Sequence, residues 1–173
     1  MKERGRAIVL IGFMGAGKSS VGRTLARLTG LSRFDTDEMV AARFGLSISE
    51  IFETHGEEKF REAETDALRE LTGKGEEIIV TGGGIVLRPG NVELLRTLGI
   101  IAHLRADEAT LFKRISRRAS RPLLRTENSR ATVTELLRAR SPLYGSAADV
   151  DVDTSALTHE EVAKVILEKI EQL

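Results

Sequence analysis

A glycine-rich segment near the start of the chain has the spacing of a phosphate-binding loop. Residues 12–19 read GFMGAGKS, the pattern G-x-x-x-x-G-K-S, and they stand between an apolar run, Ala7–Ile11, and a stretch with helical periodicity. Glycines let successive backbone N–H groups turn towards one polyphosphate, and the following helix adds its positive N-terminal end. Lys18 would reach the β- and γ-phosphates, and the Ser19 hydroxyl would ligate Mg²⁺. The segment therefore predicts a nucleoside triphosphate site.

Two carboxylates follow the second apolar run of the chain. Asp35 and Asp37 come directly after residues 32–34. Phosphoryl transfer needs one carboxylate to hold Mg²⁺ or its waters, and another to accept the proton of the attacking hydroxyl. Side chains two residues apart in an extended segment point the same way, so we expect both to face one cleft beside the phosphate loop. The alternative is that Asp37 caps a helix over residues 38–44.

Three consecutive glycines, Gly82, Gly83 and Gly84, follow the apolar run over residues 78–81. With no side chains, they expose backbone N–H groups and let a ligand approach the backbone closely. The alternative is a flexible turn, which is less plausible for three glycines straight after a buried strand. We expect a ligand-binding loop here.

A helix predicted over residues 57–71 contains Arg61, with Glu64 three positions further along. Two interpretations of this spacing stay open. The two residues form a surface ion pair worth a few tenths of a kcal/mol, or Arg61 is a fork for the carboxylate of a substrate.

Charge is unevenly placed in a chain whose net charge is zero. Residues 35–77 include 13 acidic and five basic residues, whereas residues 113–140 include nine basic and two acidic residues. A basic segment in a protein that binds polyphosphate is a natural second clamp on that ligand. We expect a lid at about residues 115–130 that closes over the phosphates and excludes water during transfer.

Strand-like and helix-like stretches alternate from one end of the chain to the other. Apolar runs predict five strands, over residues 7–11, 32–34, 78–81, 100–104 and 148–152. The first, third and fourth are almost wholly apolar, as in strands that are buried on both faces of a parallel sheet. Capping boxes that begin at Ser47, Thr132 and Thr158 predict three helix starts. The pattern indicates an α/β fold, a doubly wound parallel five-stranded sheet flanked by helices, with ligands at the carboxyl ends of the strands.

Composition narrows the class of protein. Of 173 residues, 41% are hydrophobic and 30% are charged, which is typical of one globular domain over residues 1–173. There is no Cys, no signal-peptide pattern and no apolar run that could span a bilayer, so we expect a cytoplasmic protein with no membrane partner. The one aromatic residue at the basic segment is Phe112, directly before it, and this scarcity argues against nucleic acid. Nothing indicates an obligate interface, so we expect a monomer.

Six motifs, in their order and spacing, resemble the shikimate kinase family over nearly the whole chain. They are GFMGAGKSS, FDTD, IFETHGEEKFREAE, VTGGG, RPLL and RSPLY. The resemblance implies a P-loop NTPase fold like that of the nucleoside monophosphate kinases, with a helical shikimate-binding region at about residues 35–62. It further implies ATP- and Mg²⁺-dependent phosphorylation of the 3-hydroxyl of shikimate, on the route to chorismate and the aromatic amino acids. Shikimate and ATP are the partners that it implies.

The resemblance also implies roles for the residues that contact ATP and the metal. Asp35 supports Mg²⁺ through water and Ser19 ligates it directly. Arg121 is the lid arginine that moves onto the transferring phosphate, and Arg117 lies against adenine. The phosphate cradle consists of Gly12, Gly15, Ala16, Gly17, Lys18, Ser19 and Ser20.

Shikimate, by the same resemblance, is held by residues from several parts of the chain. Asp37 binds its hydroxyls and is the base, and together with Lys18 and Arg121 it forms the catalytic set. Arg61 and Arg140 clamp the carboxylate. The remaining contacts are the backbone of Gly82, Gly83 and Gly84, with Gly83 foremost, and an apolar wall of Phe52 and Phe60.

Two departures from the family pattern and two alternatives remain open. The loop over residues 154–157 lacks the proline on which adenine often rests, and the third strand ends in Thr81-Gly82 instead of an acidic residue.

One alternative is another small-molecule P-loop kinase, acting on gluconate or a nucleoside monophosphate, although a nucleotide acceptor would favour more positive charge in the pocket. The other is a kinase-like module that senses a metabolite.

Overall fold

A five-stranded parallel sheet organises the molecule. The computed structural model describes residues 6–117 and 129–173. Within them the strand order is β2-β3-β1-β4-β5. The strands are β1 (Ala7–Ile11), β2 (Ser32–Asp35), β3 (Glu77–Val80), β4 (Gly99–Arg105) and β5 (Val150–Asp153). The three runs that the sequence marked as almost wholly apolar form the three central strands, β3, β1 and β4, which confirms that prediction.

Helices follow every strand. Those in the described residues are α1 (Lys18–Thr29), α2 (Thr36–Phe44), α3 (Ile48–Leu71), α4 (Pro89–Leu98), α5 (Glu108–Ser116), α6 (Ser129–Ala147) and α7 (His159–Glu171), with a short 3₁₀ turn at Ile85–Leu87. The chain moves from β1 towards one edge of the sheet through α1, and towards the other edge through α4 and α6. Because such crossovers are right-handed, α1 and α4 must cover opposite faces, so the fold is doubly wound as predicted.

Helix starts were predicted correctly at two of the three capping boxes. Ser47 and Thr158 each cap a helix and exchange hydrogen bonds with Glu50 and Glu161, respectively. The third prediction is wrong, because α6 already begins at Ser129 and Thr132 lies inside the helix. The spacing T-x-x-E is also a favourable i, i+3 arrangement within a helix, so the pattern alone does not locate a boundary.

A break at Gly56 divides α3 into two helical parts. Gly56 has φ 79° and ψ 167°, a conformation that glycine adopts without a steric penalty. The part after the break agrees with the helix predicted over residues 57–71. Buried apolar residues of α2 and α3 form a small second core, separate from the main core around the sheet, and its fully buried members include Val40, Ile51 and Phe60.

The candidate residues mostly lie at the carboxyl ends of these strands. Each of the first three strands is followed by one of the segments that the sequence singled out, at residues 12–19, 35–37 and 82–84. Among the helices of the described residues, none is long and apolar enough to cross a membrane.

Candidate functional site

The phosphate loop has the backbone that its glycines predict. Gly12, Gly15 and Gly17 have φ values of 143°, 82° and 99°. A Cβ atom on Gly12 would overlap the carbonyl oxygen of Leu104 on β4, so this position requires glycine. The loop ends at Gly17, directly before the twelve-residue helix α1. The strand, loop and helix therefore place a glycine-rich backbone at a helix N-terminus, which fits a polyphosphate chain.

Lys18 brings a positive charge to this loop. It is the first residue of α1 and is 8% exposed. Its Nζ donates hydrogen bonds to the carbonyl oxygens of Gly12, at 2.7 Å, and Phe13, at 3.1 Å. Ser19 and Ser20 follow in the first turn of α1, and the Ser20 hydroxyl accepts a hydrogen bond from Arg23. The donor set of the loop thus suits a triphosphate and its metal ion.

Arg114 is a residue of this region that the sequence analysis missed. From α5 it donates hydrogen bonds to the carbonyl oxygen of Gly15 at 3.3 Å and to Thr154, through Oγ1 at 3.0 Å and the carbonyl at 2.8 Å. Thr154 in turn donates to the Ala16 carbonyl at 3.1 Å. Arg117, the arginine named for adenine, is exposed at the end of α5. The basic segment was the one sequence signal for Arg114. The density of positive charge does not say which arginine of the segment turns towards the phosphate loop.

Asp35 and Asp37 are arranged differently from the prediction. Asp35 ends β2 and is the N-cap of α2, and it accepts a hydrogen bond from the Asp37 N–H at 3.0 Å. Asp37 therefore lies in the first turn of a helix and not in an extended segment, and it is not the cap. The two residues also do not lie directly beside the phosphate loop, because β3 separates β2 from β1. Burial and the neighbouring Glu38 raise the pKa of Asp35 above its usual range.

Gly82 brings Asp37 to the end of the neighbouring strand, β3. A Cβ atom on Gly82 would lie 2.7 Å from Asp37 Oδ1 and 2.6 Å from Glu64 Oε1. The Gly82 N–H donates to the Thr36 hydroxyl at 3.2 Å. The absence of a side chain on Gly82 is thus what lets two carboxyl groups approach the same backbone.

The other two glycines contact two further parts of the site. A Cβ atom on Gly83 would lie 3.4 Å from the backbone nitrogen of Met14, so the glycine loop lies against the phosphate loop. A Cβ atom on Gly84 would overlap the guanidinium group of Arg61. The expectation of close approach at these three glycines agrees with the geometry, and the groups that approach belong to the protein itself.

Arg61 and Glu64 form a buried pair, so the surface interpretation of their spacing is wrong. Their side chains are 11% and 0% exposed, and Arg61 Nη1 donates to Glu64 Oε2 at 2.6 Å. Arg61 also donates to Glu57. Burial would lower the pKa of Arg61, but these two carboxyl groups raise it above its usual value. Arg61 is therefore held, charged, with its guanidinium group against Gly84.

Glu64 is a member of the site that sequence reasoning treated only as a partner of Arg61. Burial raises the pKa of Glu64 to about 7, and the opposing effect of Arg61 does not offset it. The nearby carboxyl group of Asp37 raises this pKa further, whereas Arg140 lowers it. Among the described residues, Oε1 of Glu64 has no hydrogen-bond partner.

Arg140 of α6 also reaches the glycine loop. It donates to the Gly83 carbonyl at 3.5 Å, and its guanidinium group lies 6.0 Å from the ring centroid of Phe13 in the phosphate loop. One helical turn further along α6, the Tyr144 hydroxyl donates to the same carbonyl. Tyr144 was also missed, although it belongs to the quoted motif RSPLY.

An aromatic pair extends from Arg61. The rings of Phe52 and Phe60 lie 4.6 Å apart at 38°, on the two sides of the break at Gly56. The Arg61 guanidinium group lies 5.3 Å from the Phe60 centroid. The break therefore folds both rings to one place beside the guanidinium group.

Asp37, Arg61 and Arg140 thus converge on one glycine loop that touches the phosphate loop. They come from α2, α3 and α6, so a carboxylate, two guanidinium groups and backbone donors meet beside a polyphosphate cradle. This set could bind a small hydroxylated anion and take a proton from one of its hydroxyls. Arg121 and most of the expected lid lie outside the described residues. Within residues 6–117 and 129–173, no group of three or more His, Asp or Glu residues could hold a metal ion.

Comparison with known proteins gives one consistent result. The family model described as shikimate kinase matches residues 14–171. A shikimate kinase from Thermodesulfovibrio yellowstonii is 45% identical over 166 residues, which cover 96% of this chain and 95% of the relative. A shikimate kinase from Bordetella pertussis is 44% identical over 95% of this chain and 78% of the relative.

Solved structures agree with the sequence matches. The chain is similar to shikimate kinase from Acinetobacter baumannii in complex with shikimate, with a TM-score of 0.91, 36% identity, and coverage of 99% of this chain and 95% of that one. It also resembles a gluconokinase from Sinorhizobium meliloti, with a TM-score of 0.64 and 19% identity over 98% and 94% of the two chains. The second likeness extends to the fold alone.

Proposed function

The chain belongs to the shikimate kinase family, and from that premise we propose which of its residues hold ATP and shikimate and which one moves the proton. Its activity is the ATP-dependent phosphorylation of the 3-hydroxyl of shikimate, on the route to chorismate and the aromatic amino acids. The observation that supports the residue roles is the convergence of Asp37, Arg61 and Arg140 on a glycine loop in contact with the phosphate loop.

The phosphate loop binds the triphosphate of ATP. Backbone N–H groups of residues 12–20 surround the phosphate oxygens, and Lys18 leaves the carbonyls of Gly12 and Phe13 to contact the transferring group. Ser19 and Asp35 would hold Mg²⁺, and the bound ion would neutralise charge on the phosphate oxygens. Arg114 supports the loop from α5, and Arg117 and Arg121 contact the nucleotide and the transferring phosphate.

Shikimate binds between the glycine loop and the two guanidinium groups. Arg61 and Arg140 bind its carboxylate through charge-assisted hydrogen bonds, and the backbone of Gly82, Gly83 and Gly84 contacts its polar groups. Phe52 and Phe60 form the apolar side of the pocket. This arrangement fixes the shikimate ring, so that one of its hydroxyls faces the phosphate loop. The two bound substrates then react as in an intramolecular step.

Asp37 accepts the proton of the attacking hydroxyl. Its carboxyl group lies beside Gly82, and Gly83 lies against Met14 of the phosphate loop, which supports an acceptor position next to that loop. A base at this position makes the oxygen nucleophilic as the phosphoryl group leaves ADP, and the remaining contribution is positioning and charge stabilisation.

An acceptor comparison tests this assignment. ADP release is measured with ATP, Mg²⁺ and, separately, shikimate, gluconate, AMP and CMP as acceptors. We expect turnover with shikimate and background rates with the other three. Turnover with another acceptor but not with shikimate would contradict the assignment, and calorimetric binding of shikimate without ADP release would indicate a sensing module.

We also propose that the whole chain works as a single domain and a cytoplasmic monomer that acts on small molecules, with no nucleic-acid or membrane partner. The support is that, in the part of the chain that the structure describes, Asp37, Arg61 and Arg140 of a single copy meet at one glycine loop. Light scattering coupled to size exclusion would give the mass of one chain, and a stable dimer would contradict the proposal.

A further inference from the structure

Tyr144 connects α6 to the glycine loop. Its side chain is 1% exposed, and its hydroxyl donates a hydrogen bond to the Gly83 carbonyl. Burial raises the pKa of Tyr144 to about 12, so the hydroxyl keeps its proton and remains a donor at neutral pH. The carbonyl also accepts the weaker bond from Arg140, which lies four residues earlier on the same face of α6.

The ring of Tyr144 is held by His103 of β4. The two rings stack with centroids 5.2 Å apart and an angle of 22°. His103 Nδ1 and Asp151 Oδ1 of β5 form a hydrogen bond of 2.7 Å, and Asp151 also accepts from Arg105 Nε at 2.6 Å. Burial lowers the pKa of His103, so the imidazole is neutral at neutral pH and its Nδ1–H donates to the carboxylate.

A cavity of about 310 Å³ borders this stack. His103, Tyr144 and Phe13 are among its lining residues. Burial, the stack on His103 and the hydrogen bond to Gly83 together hold the tyrosine ring in place.

The orientation of one peptide unit follows from these contacts. A trans peptide is planar, so the Gly84 N–H points away from the direction of the Gly83 carbonyl. Because that carbonyl is bound to α6, the N–H faces away from α6. The Ile85 N–H donates to the Gly82 carbonyl across this peptide. Because glycine tolerates both signs of φ, the bond from Tyr144 helps to keep one orientation of the peptide.

We propose that Tyr144 is a positioning residue for shikimate, which fixes the peptide between Gly83 and Gly84 so that the backbone donors of the glycine loop are preset for the acceptor. His103 and Asp151 act behind it by holding its ring. The inference rests on the proposed role of the glycine loop in shikimate binding. It predicts a defect that is specific to the acceptor, because ATP binds to the other loop.

Tyr144→Phe tests the proposal, since it removes the hydroxyl and keeps the ring on His103. We expect the shikimate KM to rise about 5- to 10-fold, as for the loss of one neutral hydrogen bond, while the ATP KM stays within about twofold. Ser141→Ala is the matched control, because this exposed hydroxyl of α6 also donates to a backbone carbonyl, that of Leu137. It should change neither KM.

A second variant makes the test independent of the first. His103→Leu removes the stack and the bond to Asp151, and we expect a smaller rise in the shikimate KM, again without a change in the ATP KM. An unchanged shikimate KM in Tyr144→Phe, or an equal rise in both KM values, overturns the proposal and leaves Tyr144 a structural anchor of α6. If Tyr144→Phe does not fold, His103→Leu decides by the same criterion. Failure of the wild-type protein to phosphorylate shikimate would instead overturn the proposed function.

Discussion

The two halves of the candidate site are built in opposite ways. The phosphate loop is one run of consecutive residues, and its glycines, its lysine and the following helix N-terminus act together because they are neighbours in sequence. The acceptor half draws Asp37, Arg61 and Arg140 from three helices, and they meet only because a glycine loop leaves room for them. A motif encodes the first half, whereas the fold assembles the second.

This difference predicts that substitutions separate into two kinetic classes. Changes in the phosphate loop remove a contact that every phosphoryl acceptor would need. Changes in the acceptor half alter the recognition of one acceptor and leave ATP binding intact. The predictions below probe this separation, in order of decreasing expected effect.

Lys18→Ala should give the largest effect. It removes the only charged side chain of residues 12–19, and with it the charge that stabilises the transferring phosphate, so we expect kcat to fall at least about 10³-fold. Shikimate binding, measured by calorimetry without ATP, should be unchanged. Lys164→Ala is the control, because this exposed lysine of α7 pairs only with Glu160 among the described residues. Residual activity above one tenth of wild type would contradict the role of Lys18.

Asp37→Asn should lower kcat about 10²- to 10⁴-fold, since an amide cannot accept the proton of the attacking hydroxyl. The ATP KM should be unaffected, because Asp37 lies at the glycine loop. The matched control is Asp66→Asn, a half-exposed carboxylate of α3 that pairs with Arg69. Wild-type kcat in Asp37→Asn would remove the assignment of the base.

Arg61→Ala should mainly raise the KM for shikimate. Loss of one charge-assisted pair is worth about 1.5–3 kcal/mol, which corresponds to roughly 10- to 150-fold. Arg140→Ala should behave alike, and Arg69→Ala, an exposed arginine of α3, is the control. Equal rises in the KM values for ATP and shikimate would show that the two halves are not separable.

Glu64→Gln should change the pH dependence of stability. The pKa of Glu64 is raised in the folded protein from its ordinary 4.5 to about 7, so the native state binds more protons than the unfolded state between these values. Its contribution to the free energy of unfolding is therefore fully present below pH 4.5 and is lost as the pH rises through 7, by about 1 kcal/mol per unit. Urea denaturation across this window should show a flatter profile in Glu64→Gln and an unchanged one in Glu93→Gln, an exposed control on α4. The same slope in wild type and Glu64→Gln would contradict the shifted pKa.

The sequence was sufficient for the fold and for the local half of the site. Apolar runs located all five strands, and the three that are almost wholly apolar are the central ones, because strands buried on both faces need such runs. The phosphate loop follows from its spacing. The capping-box pattern at Thr132 gave a wrong helix start, because a Thr and a Glu three residues apart also occur inside helices.

The acceptor half could not be derived from spacing alone. The neighbours of β2 depend on strand order, which no local pattern contains, so Asp35 and Asp37 were placed one strand too close to the phosphate loop. Burial of Glu64, the inward turn of Arg114 and the hydrogen bond of Tyr144 to Gly83 depend on tertiary packing. Only the resemblance to a family brought Asp37, Arg61 and Arg140 together before the structure did.

The break at Gly56 interrupts the backbone ladder of α3 within the small second core. The turns on either side do not share one cooperative run of amide bonds, so the segment that bears Phe52 can open separately from the segment that bears Arg61. A molecule wedged between Phe52 and Arg61 would join the two pieces. Hydrogen exchange of residues 48–55 would then slow on shikimate addition far more than exchange in β1. The exchange rate of the segment before this glycine would therefore report whether the pocket is occupied.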